Sequence, residues 1–258
     1  MDRQITQWIT QYVKNYPELS GSENRWQDPL ITFADAQNPL FQKLTEWVHP
    51  DHRMPTDLLS DAASVVAYFL PFKPSIPRGN MEGRMASKEW GVTYIETNRL
   101  IADLNSYLEG QLAPEGYLAR YASATHNFDE KTLMSTWSHR HVAYIAGLGR
   151  FGLNNMLITE KGCCGRIGTI VTNVPVTANS PYSGETCLYR ENGSCGKCVN
   201  HCVNASLRTE SFDRHYCYEM LLENAAALSE IGLADVCGKC TVGLPCSSAN
   251  PVRSSSYE

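Results

Sequence analysis

The chain has 258 residues, a formal net charge of −5 and 43% hydrophobic residues, which suits one principal core with a smaller appended module. The acidic balance and the lack of a Lys/Arg block argue against nucleic acid as a stable partner. No apolar run approaches the ~20 residues that span a bilayer, and without a leader-like start a cytoplasmic protein with no membrane contact is expected.

Ile5, Trp8, Ile9, Tyr12, Val13 and Tyr16 recur at helical spacing, predicting an N-terminal amphipathic helix that stops at Pro17. A second helix is expected through Asn38–Leu44, with Asn38 as N-cap and Pro39 in the first turn. The run Ala63–Leu70, β-branched and aromatic and closed by Pro71, reads as a buried strand. From Tyr94 to Leu112 a helical period returns, ended by Pro114 and Gly116. Strands are expected at 117–125 and around Ile167, Ile170, Val171 and Val174, and residues 177–184 form a turn-rich connector. A last helix should run from about Tyr216 to Leu228. Interleaved strands and helices argue for an α/β or α+β fold, divided into a cofactor domain over 1–180 and a cysteine-rich domain over 181–258.

Between these elements lies Trp137-Ser-His139-Arg140-His141, followed by Gly147-x-Gly149-x-x-Gly152-Leu-Asn154. The glycine spacing matches the dinucleotide fingerprint, but that motif wants a strand before it and an acidic residue about twenty positions on. A His- and Arg-bearing, helical stretch precedes it here, and Thr172-Asn173 stands where the acid would be. His139 and His141 are candidates for proton delivery or cobalt ligation, since imidazole titrates nearest neutrality. Two residues apart on a helix they point about 200° apart, so one of them at most should face a given pocket. Arg140 reads either as a fork for an anion or as a surface ion-pair partner. Cys163 and Cys164 read as substrate-facing thiols or as small core residues.

Eight of the ten cysteines form two mirrored groups: Cys187, Cys195, Cys198 and Cys202, then Cys217, Cys237, Cys240 and Cys246. Each group contains a Cys-Gly-Lys-Cys string. In two-cluster ferredoxins the fourth cysteine of each run crosses to the other cluster. That rule assigns Cys187, Cys195, Cys198 and Cys246 to one 4Fe–4S cluster and Cys202, Cys217, Cys237 and Cys240 to a second. The spacings depart from the ferredoxin run: seven residues separate Cys187 from Cys195, five separate Cys240 from Cys246, and no proline follows Cys202 or Cys246. A closed zinc site is the alternative, but it would leave four cysteines unused, and a disulfide framework does not suit a reducing compartment.

The string Ala146-Gly-Leu-Gly-Arg-Phe-Gly-Leu-Asn154, the stretch ending Ile170-Val-Thr-Asn173-Val-Pro175 and the doubled cysteine motif together resemble the epoxyqueuosine reductases and their relatives, the reductive dehalogenases. The resemblance spans residues 28–250 and is specific from about 137. It implies a nitroreductase-like core that binds cobalamin, through Gly147, Gly149, Gly152 and Asn154 among others, and a ferredoxin-like module with two four-iron clusters that feed electrons to cobalt. Trp90 and Tyr94 read either as walls of the corrin face or, as aromatics at a helix start, as core residues. The acidic residue that the family carries about a dozen positions before the Ala-Gly-Leu-Gly string is replaced here by Leu133-Met134-Ser135. The helical-repeat extension expected of a tRNA-acting reductase does not follow Cys246. The resulting expectation is an oxygen-sensitive, corrinoid-dependent reductase that takes electrons from a ferredoxin or flavodoxin and reduces a small molecule. The alternatives are a carrier that reduces the cobalamin of a separate protein, and an epoxyqueuosine-type tRNA-modifying reductase.

Overall fold

The computed structural model describes residues 1–123 and 125–254. Helix α1 (Asp2–Ser20) buries Ile5, Ile9, Val13 and Tyr16 on one face. It runs through Pro17 instead of stopping there: the ring removes one main-chain hydrogen bond, and the buried face carries the helix one turn further. The stop is Gly21, whose φ of 67° lets its N–H reach back to Pro17 O.

Strand β1 (Leu30–Asp35) follows, and then α2 (Leu40–Trp47), where the Asn38 side chain accepts from Leu40 N at 3.0 Å. After α3 (Pro55–Leu58), strand β2 (Ser64–Pro71) is buried at all eight positions. Helix α4 (Ser75–Gly79) leads to α5 (Lys88–Leu112), which begins six residues before the expected start and ends in a 3-10 turn at Gly116 (φ 80°). Of the expected strand at 117–125, in which residue 124 lies outside the described residues, β3 covers Ala119–Arg120. A hairpin of β4 (Phe128–Asp129) and β5 (Met134–Ser135) precedes α6 (His139–Ile145), and a second hairpin joins β6 (Arg150–Phe151) to β7 (Leu157–Ile158). Strand β8 (Gly165–Thr172) is followed by α7 (Leu188–Asn192), α8 (Lys197–Asn200), α9 (Arg214–Ala227) and α10 (Pro251–Ser254).

The main sheet has the order β1-β2-β8-β3. β1 pairs antiparallel with β2 from Leu30↔Phe69 to Asp35↔Ser64, and β3 pairs antiparallel with β8 through Ala119↔Thr172. The chain forms two compact units, one of Met1–Leu70, Asn98–Leu148 and Arg166–Tyr182, the other of Pro71–Thr97, Gly149–Gly165 and Ser183–Glu258. In the first unit the core is built from Tyr68, Phe69, Leu100, Ile101, Leu104 and Trp137. In the second it is built largely from cysteines packed with Leu153, Ile158, Leu207 and Leu244.

Candidate functional site

In the first unit, Ser138 begins α6 and brings two histidines to its first turn. His139 is buried, with Nδ1 2.8 Å from Thr169 Oγ1 and Nε2 3.0 Å from Ser123 O. A carbonyl only accepts, so Nε2 carries the proton and Nδ1 accepts from the Thr169 hydroxyl. Thr169 Oγ1 in turn accepts from Trp137 Nε1 at 3.0 Å. Burial, opposed by the Ser123 carbonyl and reinforced by Arg166, lowers the His139 pKa to about 4. His141 has Nδ1 2.7 Å from Ser138 Oγ. Burial, then the charges of Arg140 and His52, bring its pKa down to about 4 as well. The Ser138 N–H donates to His52 Nε2 at 2.9 Å, and His52 stacks on Trp137. Arg140 is exposed.

Residues 133–135 lie on and beside β5. The nearest carboxylate in that hairpin, Asp129, is engaged in its turn: Oδ1 accepts from Thr132 N at 2.7 Å and from Lys131 N at 3.1 Å, bonds that hold its pKa below the usual range.

The glycine string follows a helix and enters the β6–β7 hairpin, the reverse of the strand–turn–helix order that dinucleotide binding uses. Gly147 has φ 78°, and a Cβ there would lie 2.4 Å from Ser180 O. A Cβ on Gly149 would lie 2.2 Å from Ile158 O. At both positions the missing side chain makes room for the protein's own backbone. Gly152 closes the hairpin by donating to Met156 O at 2.9 Å. The Asn154 side chain accepts from Met156 N at 3.2 Å and donates to Cys240 O at 3.1 Å, which ties the hairpin to the cysteine module.

Within the second unit, Cys187, Cys195, Cys198 and Cys246 line one pocket together with Leu153, Ile158 and Leu244. Burial and then the neighbouring Cys246, Cys187 and Cys195 push the Cys198 thiol up to about 11. Cys240 is raised further by burial, then by Cys237, Cys217, Cys202 and, last, Cys198. Cys198 is thus crowded by Cys246, Cys187 and Cys195, whereas the thiols around Cys240 include Cys198 as well as Cys237, Cys217 and Cys202. Among the described residues, no three His, Cys, Asp or Glu side chains converge closely enough to grip a single metal ion. A four-iron cube takes four thiolates, one at each corner, and the eight cysteines of the two groups are the donors that two such cubes would need. Burial would raise Cys202, but hydrogen bonds from Ser206 and Leu207 N outweigh it and lower its pKa.

Two features here, Lys239 and Asn80, lie outside what the sequence singled out. Lys239 is buried, and its Nζ donates to Asn80 O at 2.8 Å and Glu82 O at 2.7 Å. Asn80, fully buried, donates through Nδ2 to Cys237 O at 2.8 Å. Cys163, one of the paired thiols read as substrate-facing or core, is buried, and its N–H donates to Cys246 O at 2.9 Å. Trp90 packs edge-on against Phe72, and Tyr94 donates to Asp235 at 2.8 Å, so both aromatics are engaged within the second unit.

No protein-family model matches the chain. It is 27% identical over 187 residues to an epoxyqueuosine reductase of Bacillus anthracis, covering 68% of this chain and 44% of that protein. It is 27% identical over 193 residues to one of Listeria monocytogenes, covering 71% and 44%. The chain thus spans less than half the length of these curated relatives. In fold it is similar to the epoxyqueuosine reductase of Bacillus subtilis, with a TM-score of 0.59 at 20% identity over 96% of this chain and 66% of that one. An epoxyqueuosine reductase solved with an epoxyqueuosine-modified tRNA-Tyr stem loop gives 0.57 at 20% identity, covering 95% and 66%. A catabolic reductive dehalogenase in complex with 3-bromo-4-hydroxybenzoic acid gives 0.59 at 13% identity, covering 87% and 30%. The protein therefore has a mixed α/β fold like that of these enzymes and resembles a group of oxidoreductases. No helix among the described residues is long and apolar enough to cross a membrane.

Proposed function

We propose that the protein is an iron–sulfur reductase of the epoxyqueuosine reductase type. Cys187, Cys195, Cys198 and Cys246 hold one four-iron cluster, and Cys202, Cys217, Cys237 and Cys240 hold a second. The observation that supports this reading is that Cys187, Cys195, Cys198 and Cys246 line one pocket. Single electrons from a ferredoxin or flavodoxin would enter through these clusters, and burial together with hydrogen bonds to sulfur would set their potentials.

The likeness in fold supports a corrinoid as electron acceptor; when bound, it supplies low-potential reduction at cobalt. Of the residues that the sequence points to, Gly147 and Gly149 are filled by backbone and His139 has both ring nitrogens engaged, so none of these three is assigned to the corrinoid. His141 takes the proton-handling role. Its low pKa keeps it neutral at pH 7, which suits a relay through the Ser138 hydroxyl better than a proton store. Arg140, exposed beside it, is assigned to an anionic group of the substrate.

The names of the relatives favour epoxyqueuosine in tRNA as the substrate. A small organic substrate is the second reading, favoured by the Leu133-Met134-Ser135 stretch in place of the family acid and by the net charge of −5. Anaerobic protein should contain about eight irons and change the visible bands of added cobalamin, and with a reduced ferredoxin it should convert an epoxyqueuosine-containing stem loop. Zinc in place of iron would overturn the cluster assignment. Cobalamin reduction without conversion of the stem loop would favour the small-molecule or carrier reading. His141→Gln should lower turnover by roughly 10²-fold with iron content unchanged, whereas His139→Gln should act on stability.

A further inference from the structure

The two Cys-Gly-Lys-Cys strings are identical in sequence and are seated differently. In the first, Lys197 is exposed, and a Cβ on Gly196 would meet nothing within 4 Å. In the second, Gly238 takes φ 73° and lies against an indole, since a Cβ there would fall 2.4 Å from the Trp90 ring. Thr241 closes the turn, its N–H and its hydroxyl donating to Gly238 O at 2.9 and 2.7 Å. The Cys237 carbonyl accepts from Asn80 Nδ2 at 2.8 Å, and Asn80 Oδ1 accepts from Ser87 N at 2.8 Å. Lys239 is 3% exposed, and its Nζ donates to Asn80 O at 2.8 Å and Glu82 O at 2.7 Å. Asn80 thus grips the chain at Cys237 through its amide and the ammonium through its carbonyl. Both oxygens on the ammonium are main-chain carbonyls, which hold the charge without neutralising it.

We propose that the buried charge of Lys239 raises the reduction potential of the second cluster alone, setting it apart from the first, whose matching lysine is left to solvent. Lys239 stands between Cys237 and Cys240, two of the four ligands assigned to that cluster. One-electron reduction makes a four-iron cluster one unit more negative, and a fixed cation beside it favours that form; net charge and solvent exposure are among the levers on cluster potential. A buried charge acts through a low dielectric, whereas an exposed one is weakened by water and salt. The two clusters therefore differ in potential although their lysine-bearing strings match, which gives single electrons a resting place at the second cluster on their way through the module.

This inference rests on the two-cluster reading, and the test separates the two. Wild type, Lys239→Gln, Lys239→Met, Lys239→Arg and Lys197→Gln are purified anaerobically, assayed for iron and titrated with dithionite under electron paramagnetic resonance. Cys198→Ser, which should retain the second cluster and lose the first, identifies the wave of the second. Glutamine keeps a donor without the charge, methionine removes both, and arginine keeps both. About eight irons are expected in wild type and in each lysine variant. The second wave should move to lower potential in Lys239→Gln and Lys239→Met, and stay near its wild-type position in Lys239→Arg and Lys197→Gln. The movement should persist in about 1 M salt, where a Debye length of about 3 Å erases the effect of an exposed charge. Unmoved waves in iron-replete Lys239→Gln and Lys239→Met would overturn the role of Lys239 and leave the cluster reading standing. Equal movement of both waves, or loss of the second cluster from the arginine variant as well as the neutral ones, would make Lys239 a structural clamp and overturn it too. Wild-type protein without iron would sink the cluster reading and this inference together.

Discussion

His139 in the first unit and Cys198 in the second are buried, Cys240 is partly so, and their surroundings differ in kind. His139 finds a hydroxyl at 2.8 Å and a carbonyl at 3.0 Å, one for each ring nitrogen. Cys198 and Cys240 find other thiols, which together with burial drive their pKa values upward. A polar group completed by protein partners needs nothing further. Thiols that penalise one another's ionisation stay protonated unless a cation offsets their charge, which the proposed clusters would supply. A similar contrast recurs between the two Cys-Gly-Lys-Cys strings: Lys197 is exposed, whereas Lys239 is 3% exposed and clamped between two carbonyls.

The sharpest way to break this comparison is to remove one thiol from each quartet and one partner from the histidine. Cys198→Ser and Cys240→Ser should each lower iron from about eight to about four per chain, as measured by iron and sulfide assay. Thr169→Val should leave the iron unchanged. Equal iron loss in all three variants would mean that the cysteine region is sensitive to general destabilisation and is not divided into quartets.

A smaller effect is expected from pH. His139 titrates at about 4 in the folded protein and near 6.5 when unfolded. Its burial as the neutral form therefore contributes stability in full above pH 6.5. As pH falls from 6.5 toward 4 the unfolded state binds the proton first, and up to about 3 kcal/mol is lost. Urea titrations of wild type and His139→Gln at pH 7.5 and pH 5 should show a gap that narrows at the lower pH. A gap that stays constant would place the wild-type acid sensitivity elsewhere.

The smallest effect separates the two lysines. Lys239→Met leaves the carbonyls of Asn80 and Glu82 without their donor and should cost about 1–3 kcal/mol. Lys197→Met, on an exposed side chain, should stay within about 0.5 kcal/mol. Chemical denaturation of the two variants checks this, and equal losses would mean that the clamp contributes nothing.

What was legible in the sequence follows from how local each signal is. The cysteine groups stand out because a repeated Cys-Gly-Lys-Cys string is conspicuous in residue type and spacing, and β2 because eight consecutive buried positions leave an uninterrupted apolar run. Strand β1 was not anticipated; only Phe33 and Ala34 of its six residues are buried, so its pattern is weak. The continuation of α1 past Pro17 depends on a buried face that tolerates one missing bond. Nothing near His139 reveals that Thr169 and Ser123, thirty and sixteen positions away, occupy its nitrogens. The two lysines sit in identical four-residue strings, so local sequence could not separate them. The difference lies in Asn80 and Glu82, 159 and 157 positions from Lys239. The glycine string was ambiguous because glycine serves close approach of any kind, and here the approaching groups are Ser180 O and Ile158 O.

The bond between the Asn80 side chain and Cys237 O joins residues 157 positions apart. During translation at ~5–20 residues per second, that separation is a delay of roughly 8–30 s. Throughout it the Asn80 amide and the Asn80 and Glu82 carbonyls stand on the nascent chain before their partners have been made. The half of this seat contributed by residues 71–97 is thus an early, solvated template, closed only by the chain around Cys237–Cys240. Ribosome-bound chains truncated before Cys237 should consequently leave this segment open to protease, while chains extended past Cys246 protect it.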